Sequence, residues 1–444
     1  MKKISIIGLG YVGLPLACIL GYKKNKNLKV VGVDKKLNFS NITKKEFLNN
    51  FSKNLSDAKL KKIIKQSIKN QAFEISGNLQ KVINSNVIVI SINFDFDKKN
   101  VDMAYKSLKS FFYNLSQHLN SKTLIVLETT VPPGTSEKII YPTIEKVFKK
   151  RGLKDKPLYS YSYERVMPGL KYYDSIVNIR RCYSGIDNQS SIACKNFLKS
   201  IINVKKYPLY KLEKTRDCET SKILENSYRA LNIAFIDEWT KYANSIDVNL
   251  NKVIDGIKLR KTHINIMRPG VGVGGYCLTK DPIFSKISSR YIFKKQNNFP
   301  LTLKSVEINE NMPRNSFNFI KKNLPNKPHK ILMMGAAYRQ DVDDIRNSPS
   351  IKLFNLLKKK NNIIKIYDPV IKDLKKNKHL TQDLPNFRNY DVVIFSVPHR
   401  KFKKISFFKL PKKPYYFDIN MVLKDKIKKF LKRNNYKIKI LGDD

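Results

Sequence analysis

Lys2-Lys3-Ile4-Ser5-Ile6-Ile7-Gly8-Leu9-Gly10-Tyr11-Val12-Gly13 opens this 444-residue chain with a short apolar strand and a G-x-G-x-x-G turn. A helix continues from there at helical spacing through Leu14, Ala17 and Leu20. The glycines permit the tight turn and the close approach of a pyrophosphate, which would then sit at the positive end of the helix dipole. The second strand, Leu28 to Asp34, ends in a carboxylate about 20 residues on, where it can accept the adenosine ribose hydroxyls and repel a 2'-phosphate. Gly8, Gly10, Tyr11, Val12, Gly13 and Asp34 are therefore expected to bind a dinucleotide. Asp34 favours NAD over NADP, while Lys35 and Lys36 beside it pull the other way.

Further continuous aliphatic runs follow at Val87 to Ile92 and Thr123 to Leu127. Such runs, alternating with helical stretches, predict a parallel sheet covered on both faces. From Thr215 to Asp247 a long helix is expected, with Ile223, Tyr228, Leu231, Ile233, Phe235 and Trp239 on its buried side and Glu219 and Glu225 solvated. A further helix over Leu301 to Leu324 contains Pro313, which would kink or divide it. A second α/β unit begins at Lys330-Ile331-Leu332-Met333-Met334-Gly335, with a helix over Ser350 to Lys359 and strands over Ile363 to Tyr367 and Asp391 to Ser396. The fold class is thus α/β, two Rossmann-like doubly wound domains joined by a central helical domain, with boundaries at 1–205, 206–300, a connecting helix 301–325, and 326–444.

The composition excludes several classes. With 42% hydrophobic residues the chain can build real cores, and no apolar run reaches the roughly 18 residues of a membrane span. No secretory cleavage site follows the first strand, so a soluble cytoplasmic protein is expected. Five scattered cysteines and five histidines form neither a disulfide framework nor a zinc motif, and no metal is expected. The net charge of +50 invites a nucleic-acid reading. However, lysine, asparagine and isoleucine are plentiful over the whole length, which reads as low-GC compositional drift rather than a binding patch. A basic surface would still attract phosphate-bearing small molecules.

Three further stretches carry possible chemistry. Glu128-Thr129-Thr130-Val131-Pro132-Pro133-Gly134-Thr135 follows a strand and puts hydroxyls at the ligand-binding edge of the sheet, although a stiff polar turn reads the same way. In Ser162-Tyr163-Glu164-Arg165-Val166-Met167-Pro168-Gly169 a carboxylate stands beside a guanidinium, which alone is as compatible with a surface ion pair. Gly270-Val271-Gly272-Val273-Gly274-Gly275-Tyr276-Cys277-Leu278-Thr279-Lys280-Asp281 sets a thiol among glycines, with a lysine and an aspartate close behind. A Gly-rich turn with an inert cysteine and a reactive nucleophile are both open on that segment alone. Lys222 and Asn226, spaced i, i+4, share a helix face.

The order of these motifs resembles the UDP-glucose/GDP-mannose dehydrogenase family. The likeness extends through Asn309 and Met312-Pro313, Gly335-Ala336-Ala337-Tyr338-Arg339-Gln340-Asp341, Asp344-Ile345-Arg346-Asn347-Ser348-Pro349, Tyr367-Asp368-Pro369 and Val397-Pro398-His399. It covers essentially the whole chain. What the resemblance implies is an amino-terminal NAD-binding domain, a central dimerisation domain giving a homodimer, and a carboxyl-terminal domain for the nucleotide of a UDP-sugar. The implied activity is NAD-dependent four-electron oxidation of the carbon-6 alcohol to the acid. Its implied site has Cys277 as covalent nucleophile, Asp281 and Glu164 as water-activating and acid/base carboxylates, Lys222 and Asn226 as oxyanion support, and Thr130 orienting water or the hydroxyl beside the cofactor. Substrate contacts are implied for Glu164, Arg165, Lys222, Asn226, Gly274, Lys280, Arg339 and Arg346, and for Arg260 reaching a neighbouring subunit's substrate.

The Glu-Arg-Val-Met-Pro-Gly wording is closer to the N-acetylhexosamine branch than to the Glu-Phe-Leu wording of the UDP-glucose and GDP-mannose branches. UDP-glucose oxidation is the alternative within the enzyme class, and a catalytically silent nucleotide-sugar binder is the alternative outside it. Two departures from the family pattern bear on specificity. Ser91-Ile92-Asn93-Phe94-Asp95-Phe96 replaces a Val-Pro-Thr-Pro-like turn, and Tyr163 stands where proline is common.

Overall fold

A computed structural model of the chain describes residues 2–22, 27–38, 42–53, 55–94, 96, 100–373 and 378–443; Asp95 of the departing turn lies outside them. The chain divides into two compact units, Met1–Glu225 with Ile283–Asn298, and Asn226–Pro282 with Phe299–Asp444.

The first unit holds strands β1 (Lys2–Ile7), β2 (Leu28–Val33), β3 (Phe73–Ser76), β4 (Val87–Ile90), β5 (Leu124–Leu127), β6 (Leu158–Tyr161), β7 (Cys182–Gly185) and β8 (Tyr210–Lys211). They form one sheet in the order β3-β2-β1-β4-β5-β6-β7-β8. All pairs are parallel except β6 with β7, so an antiparallel pair extends the expected parallel sheet. The continuous apolar runs have a direct cause: alternate residues point to opposite faces, and both faces are covered. Ile4, Ile6, Val87, Val89, Leu124 and Val126 enter one core. Their sequence neighbours Ile88, Ile90, Ile125 and Leu127 enter the other. Strand order reverses at β1, between β2 and β4, and the loop that leaves β1 there is the G-x-G-x-x-G turn. Open α/β sheets bind ligands at such a switch point.

In the second unit, β9 (Lys330–Met334), β10 (Ile363–Tyr367), β11 (Leu380–Thr381), β12 (Val392–Phe395), β13 (Tyr415–Asp418) and β14 (Ile438–Ile440) make an all-parallel sheet in the order β11-β10-β9-β12-β13-β14. This repeats the order of the first six strands of the amino-terminal sheet. The helix Pro300–Lys322 runs through Pro313 without dividing. Pro313 and Met312 are both buried there.

The long helix Thr215–Ser245 corrects one expectation. Ile223 is buried, but Tyr228 (59% exposed), Leu231, Phe235 and Trp239 (44%) face outward, and Tyr242 and Ile246 continue the same row. The side turned inward carries Ala230, Ala234, Asp237, Thr240 and Ala243. Over the part of the helix in the second unit these residues and Ile236 face the core, and the bulky stripe is left on the opposite side. No helix among the described residues is long and apolar enough to cross a membrane.

Candidate active site

In the first unit the glycine turn is built for close approach. A Cβ on Gly13 would lie 2.0 Å from the carbonyl oxygen of Gly8, so any larger residue would open the turn, whereas the space beside Gly10 is clear. The Leu9 N–H donates to Asp34 Oδ2 at 2.8 Å and the Lys36 N–H to Asp34 Oδ1 at 3.0 Å. A carboxylate has about four acceptor positions, so two remain for ribose hydroxyls. Tyr11 is exposed, and its carbonyl accepts the Tyr172 hydroxyl; Val12 and Asp34 are half-buried. These residues fit the adenosine and pyrophosphate of NAD. Asp34→Ala should raise the KM for NAD about 10- to 100-fold, with kcat at saturating NAD within about 3-fold, because a charge-assisted hydrogen bond is lost without touching the reacting end. Steady-state NADH formation measures both.

At the carboxyl ends of β5 and β6 three predicted residues lie in the same unit. Thr130 is half-buried just past β5, behind Thr129, whose hydroxyl donates to Ile92 O at 2.7 Å. Lys222 is 6% exposed; its Nζ donates to the backbone oxygen of Glu164 at 2.9 Å and lies 3.9 Å from Glu164 Oε1. It also sits 5.5 Å from the centre of the Tyr163 ring. Folding thus brings together Lys222 and Glu164, which are 58 residues apart. Arg165 is committed differently. Its Nε and Nη2 donate to Glu225 Oε2 at 3.0 and 2.8 Å, and its Nη2 to Tyr163 Oη at 2.9 Å. The tyrosine that replaces proline therefore belongs to a network holding Arg165 against the helix, with Tyr163 Oη 2.9 Å from Ser221 Oγ.

Glu219, expected in solvent, is fully buried. It receives the Gly134 N–H at 2.5 Å, the Ser136 N–H at 2.9 Å and the Ser136 hydroxyl at 2.7 Å. Burial pushes its carboxyl up to about 8, against the pull of those hydrogen bonds, and nearby Glu137 adds to the rise. Between the ordinary carboxylate range and about pH 8 the folded chain keeps a proton here that the unfolded chain has lost. This group's contribution to stability therefore falls as pH rises through that window. Urea unfolding of Glu219→Gln at several pH values should show a flatter pH dependence than the parent.

In the second unit, Cys277 begins the short helix Cys277–Lys280. It is the exposed cysteine among five described ones; Cys18 and Cys194 are buried and pushed up to about 12, and Cys218 is buried too. Asp281 is 3% exposed and accepts the Asn226 Nδ2–H at 2.7 Å, so another predicted pair is joined. Gly275 adopts φ +77°, and a Cβ there would lie 2.9 Å from the Tyr338 ring; one on Gly274 would lie 2.7 Å from Tyr338 Cβ. The glycines thus let the cysteine loop pack on the loop after β9, where Gly275 N donates to Arg346 O at 3.2 Å and Asn347 Nδ2 to Gly275 O at 3.0 Å. The Arg346 guanidinium is held by Asp344 and stands 4.9 Å from the Tyr276 ring centre, while Lys280 is 6.0 Å from it. Arg339 and Arg260 are exposed. Among the described residues no cluster of His, Cys, Asp or Glu could hold a metal ion.

Three comparisons bear on this arrangement. The NAD-binding domain of the UDP-glucose/GDP-mannose dehydrogenase family matches residues 2–202, its central domain residues 216–311 and its UDP-binding domain residues 332–425. The chain is similar, at 31% identity over all of its length and 97% of the relative, to the UDP-N-acetyl-D-mannosamine dehydrogenase of Methanococcus vannielii. The chain belongs to the UDP-glucose/GDP-mannose dehydrogenase family. It is 32% identical to the UDP-N-acetyl-D-mannosamine dehydrogenase of Methanocaldococcus jannaschii over 84% of this chain and 80% of that one. Its fold is similar to that of a Pyrococcus horikoshii UDP-D-ManNAc dehydrogenase, with TM-score 0.79, 23% identity, and 100% and 99% of the two chains covered. It is also similar to the Staphylococcus aureus enzyme Cap5O, with TM-score 0.73, 25% identity and 96% of each chain covered. As a family member the protein is an NAD-dependent nucleotide-sugar dehydrogenase.

Two features of this family member escaped the sequence. Arg181 donates from Nη2 to Glu128 Oε1 in an ion pair buried on both sides, and Arg181 Nε donates to Tyr163 O at 3.1 Å. Among the described residues Glu128 Oε2 has no hydrogen-bond partner; burial pushes this carboxyl up, Arg181 pulls it down, and Glu164 pushes it up again. The only signal was Glu128 opening the Thr-Thr-Val-Pro stretch. The second feature is a buried Asp368–His399 pair in the UDP-binding domain, at the place that Asp34 holds in the NAD-binding one. Asp368, just after β10, takes the N–H groups of Ala336 and Ala337 at 2.7 and 2.9 Å, as Asp34 takes that of Leu9. Here, though, His399 Nε2 lies 3.0 Å from Asp368 Oδ2 and the carboxylate is fully buried. Burial disfavours the charged imidazole, yet Asp341 and Asp368 on either side hold His399 above the ordinary histidine range. Asp368 is sealed inside and cannot meet a ribose, which separates the two nucleotide domains chemically.

Proposed function

We propose that the protein oxidises the carbon-6 alcohol of a UDP-N-acetylhexosamine to the carboxylate through a covalent adduct on Cys277. The observation that carries this reading is Cys277 itself, the exposed thiol of Gly-Gly-Tyr-Cys-Leu-Thr-Lys-Asp, on the unit that also holds the UDP-binding domain. Bound in turn on Gly8 to Gly13 and Asp34, two molecules of NAD would each accept one of the two hydrides that a four-electron oxidation releases. The Cys277 thiolate adds to the aldehyde carbon, forming a carbon–sulfur bond and a thiohemiacetal that keeps the intermediate from leaving. After the second oxidation the same carbon is a thioester. Water attacks it, the carbon–sulfur bond breaks, and the thiol regains its proton.

Lys222, cationic and nearly buried, stabilises the oxyanion that develops at carbon 6, where a low-dielectric setting makes its charge count most. Asn226 orients Asp281 through their 2.7 Å hydrogen bond, and Asp281 with Glu164 moves the proton of the attacking water. Thr130 orients the hydroxyl. Arg339, Arg346, Lys280, Gly274 and Arg165 frame the nucleotide sugar, Arg165 through the loop it fixes. Arg260 serves the site of a second subunit.

The sugar assignment rests on Glu164-Arg165-Val166-Met167-Pro168-Gly169 and on the relatives at 31–32% identity, whose names specify UDP-N-acetyl-D-mannosamine. The deciding experiment is NADH formation against UDP-N-acetylmannosamine, UDP-N-acetylglucosamine, UDP-glucose and GDP-mannose. Two NADH per UDP-N-acetylhexosamine are expected. Preference for UDP-glucose overturns the substrate, one NADH per sugar overturns the four-electron course, and no turnover with any of the four leaves the non-catalytic binder.

The active form is a homodimer. In support, Tyr228, Leu231, Phe235, Trp239, Tyr242 and Ile246 make a continuous exposed apolar row, with ring centres 6.1 Å apart for Phe235–Trp239 and 5.8 Å for Trp239–Tyr242. Stripes of this kind mark association surfaces. Phe235→Glu with Trp239→Glu should convert the dimer to monomers, read by light scattering.

A further inference from the structure

We infer that Glu219 is a positioning residue for this oxidation: its carboxyl group ties the loop that follows Thr130 to the helix that carries Lys222, and so fixes the two groups relative to one another. The inference rests on the reading of Thr130 and Lys222 given above.

On the loop side, Glu219 takes the N–H groups of Gly134 and Ser136 and the Ser136 hydroxyl. These donors lie four and six residues past Thr130. Ser136 Oγ is in turn 2.8 Å from Tyr159 Oη on β6, so the clamp is anchored to the sheet. The rest of the loop is pinned from other directions: Thr129 donates to Ile92 O at 2.7 Å, and Ser288 donates to Pro133 O at 2.7 Å. On the helix side, Glu219 is one turn before Lys222, whose Nζ reaches Glu164 O at 2.9 Å. One side chain therefore couples the two elements that carry Thr130 and Lys222, and all of these residues lie in the first unit.

The chemistry explains why a carboxyl group stands there. An apolar side chain would fill the space at less cost, since a buried carboxyl must give up its hydration. What it supplies is a pair of acceptors for two N–H groups that would otherwise be buried without partners. The loop backbone is thereby fixed, and a fixed loop is what a hydroxyl needs in order to be presented at one distance and angle.

Glu219→Gln tests this. Even when protonated, the carboxyl keeps a lone pair on each oxygen for an N–H, whereas an amide NH2 offers none; whichever way the amide sits, its NH2 faces one of the two backbone N–H groups, so the clamp loses a hydrogen bond while volume is conserved. Misplacement should lower kcat about 10- to 100-fold, with KM for NAD and for the sugar nucleotide within about 3-fold. In a Thr130→Ala background the further loss in kcat should be under about 2-fold, while the fall in Tm is the same in both backgrounds. A merely structural role would move Tm and leave the kcat costs additive. Unchanged kcat in Glu219→Gln, a change confined to KM, or an equal kcat cost with and without Thr130 overturns the inference. If Thr130→Ala alone leaves kcat intact, the reading of Thr130 fails and takes the inference with it, which is a separate result from additivity. Should Glu219→Gln not fold, Ser136→Ala, which removes one hydroxyl from the same clamp, is expected to lower kcat about 3- to 10-fold and to lose that effect in the Thr130→Ala background.

Discussion

Cys277→Ser is expected to stop net acid formation, lowering it on the order of 10³-fold or more, while leaving sugar-nucleotide affinity within about 3-fold. The size follows from the nucleophile. A thiol is partly ionised near neutral pH, whereas a serine hydroxyl is not, so the intermediate is no longer captured. The binding half follows from location: Cys277 is exposed, so replacing its sulfur by oxygen disturbs no core. Stopped-flow absorbance should show at most about one NADH per site before the reaction stalls, and isothermal titration should show unchanged UDP-sugar binding. NADH production equal to the parent's would sink the covalent route. Loss of binding would show instead that Cys277 belongs to the substrate pocket rather than to the chemistry.

Lys222→Ala is the second large effect. Removing a donor that stabilises a developing oxyanion costs about 10²- to 10³-fold in kcat in sites of this kind. The same change deletes the 2.9 Å hydrogen bond to the Glu164 backbone oxygen and the ion pair with its carboxylate. In the proposed mechanism the proton-handling carboxylate therefore loses its neighbour together with the oxyanion support. KM for NAD should stay within about 3-fold, because the contacts proposed for the dinucleotide lie on Gly8 to Gly13 and Asp34. Lys222→Arg, which keeps the charge but not the single compact ammonium, should recover only part of the loss. A Lys222→Ala enzyme with normal kcat would remove Lys222 from the mechanism. The kinetics are to be read beside Tm, since a nearly buried lysine also packs against the Tyr163 ring.

Much of the fold was legible because its signals are local. A strand whose two faces are both covered is apolar along its buried length, and β4, β5 and β12 announce themselves as continuous apolar runs for that reason, as does β9 after Lys330. The glycine turn and Asp34 were likewise legible: a Cβ at Gly13 meets the Gly8 backbone, and Asp34 bonds Leu9 only 25 residues away. Within each unit, folding joined residues that the motifs had singled out, Lys222 with Glu164 in one and Asn226 with Asp281 in the other. Arg165 was singled out as a substrate contact, yet its nearest commitment is Glu225, a residue the helix pattern assigned to solvent.

The sequence by itself determined the strand and helix periodicity, the dinucleotide turn and the order of the reactive segments, since each depends on neighbours within a few turns of chain. Only the tertiary structure decided which apolar face of the helix Thr215–Ser245 is covered, because helical spacing gives a face but not what lies against it. It also decided that Glu219 is a buried clamp and Asp368 a sealed carboxylate. The partners that settle those two roles, Gly134 and Ser136 for one and Ala336, Ala337 and His399 for the other, stand some 30 to 85 residues away and meet them only in the folded chain.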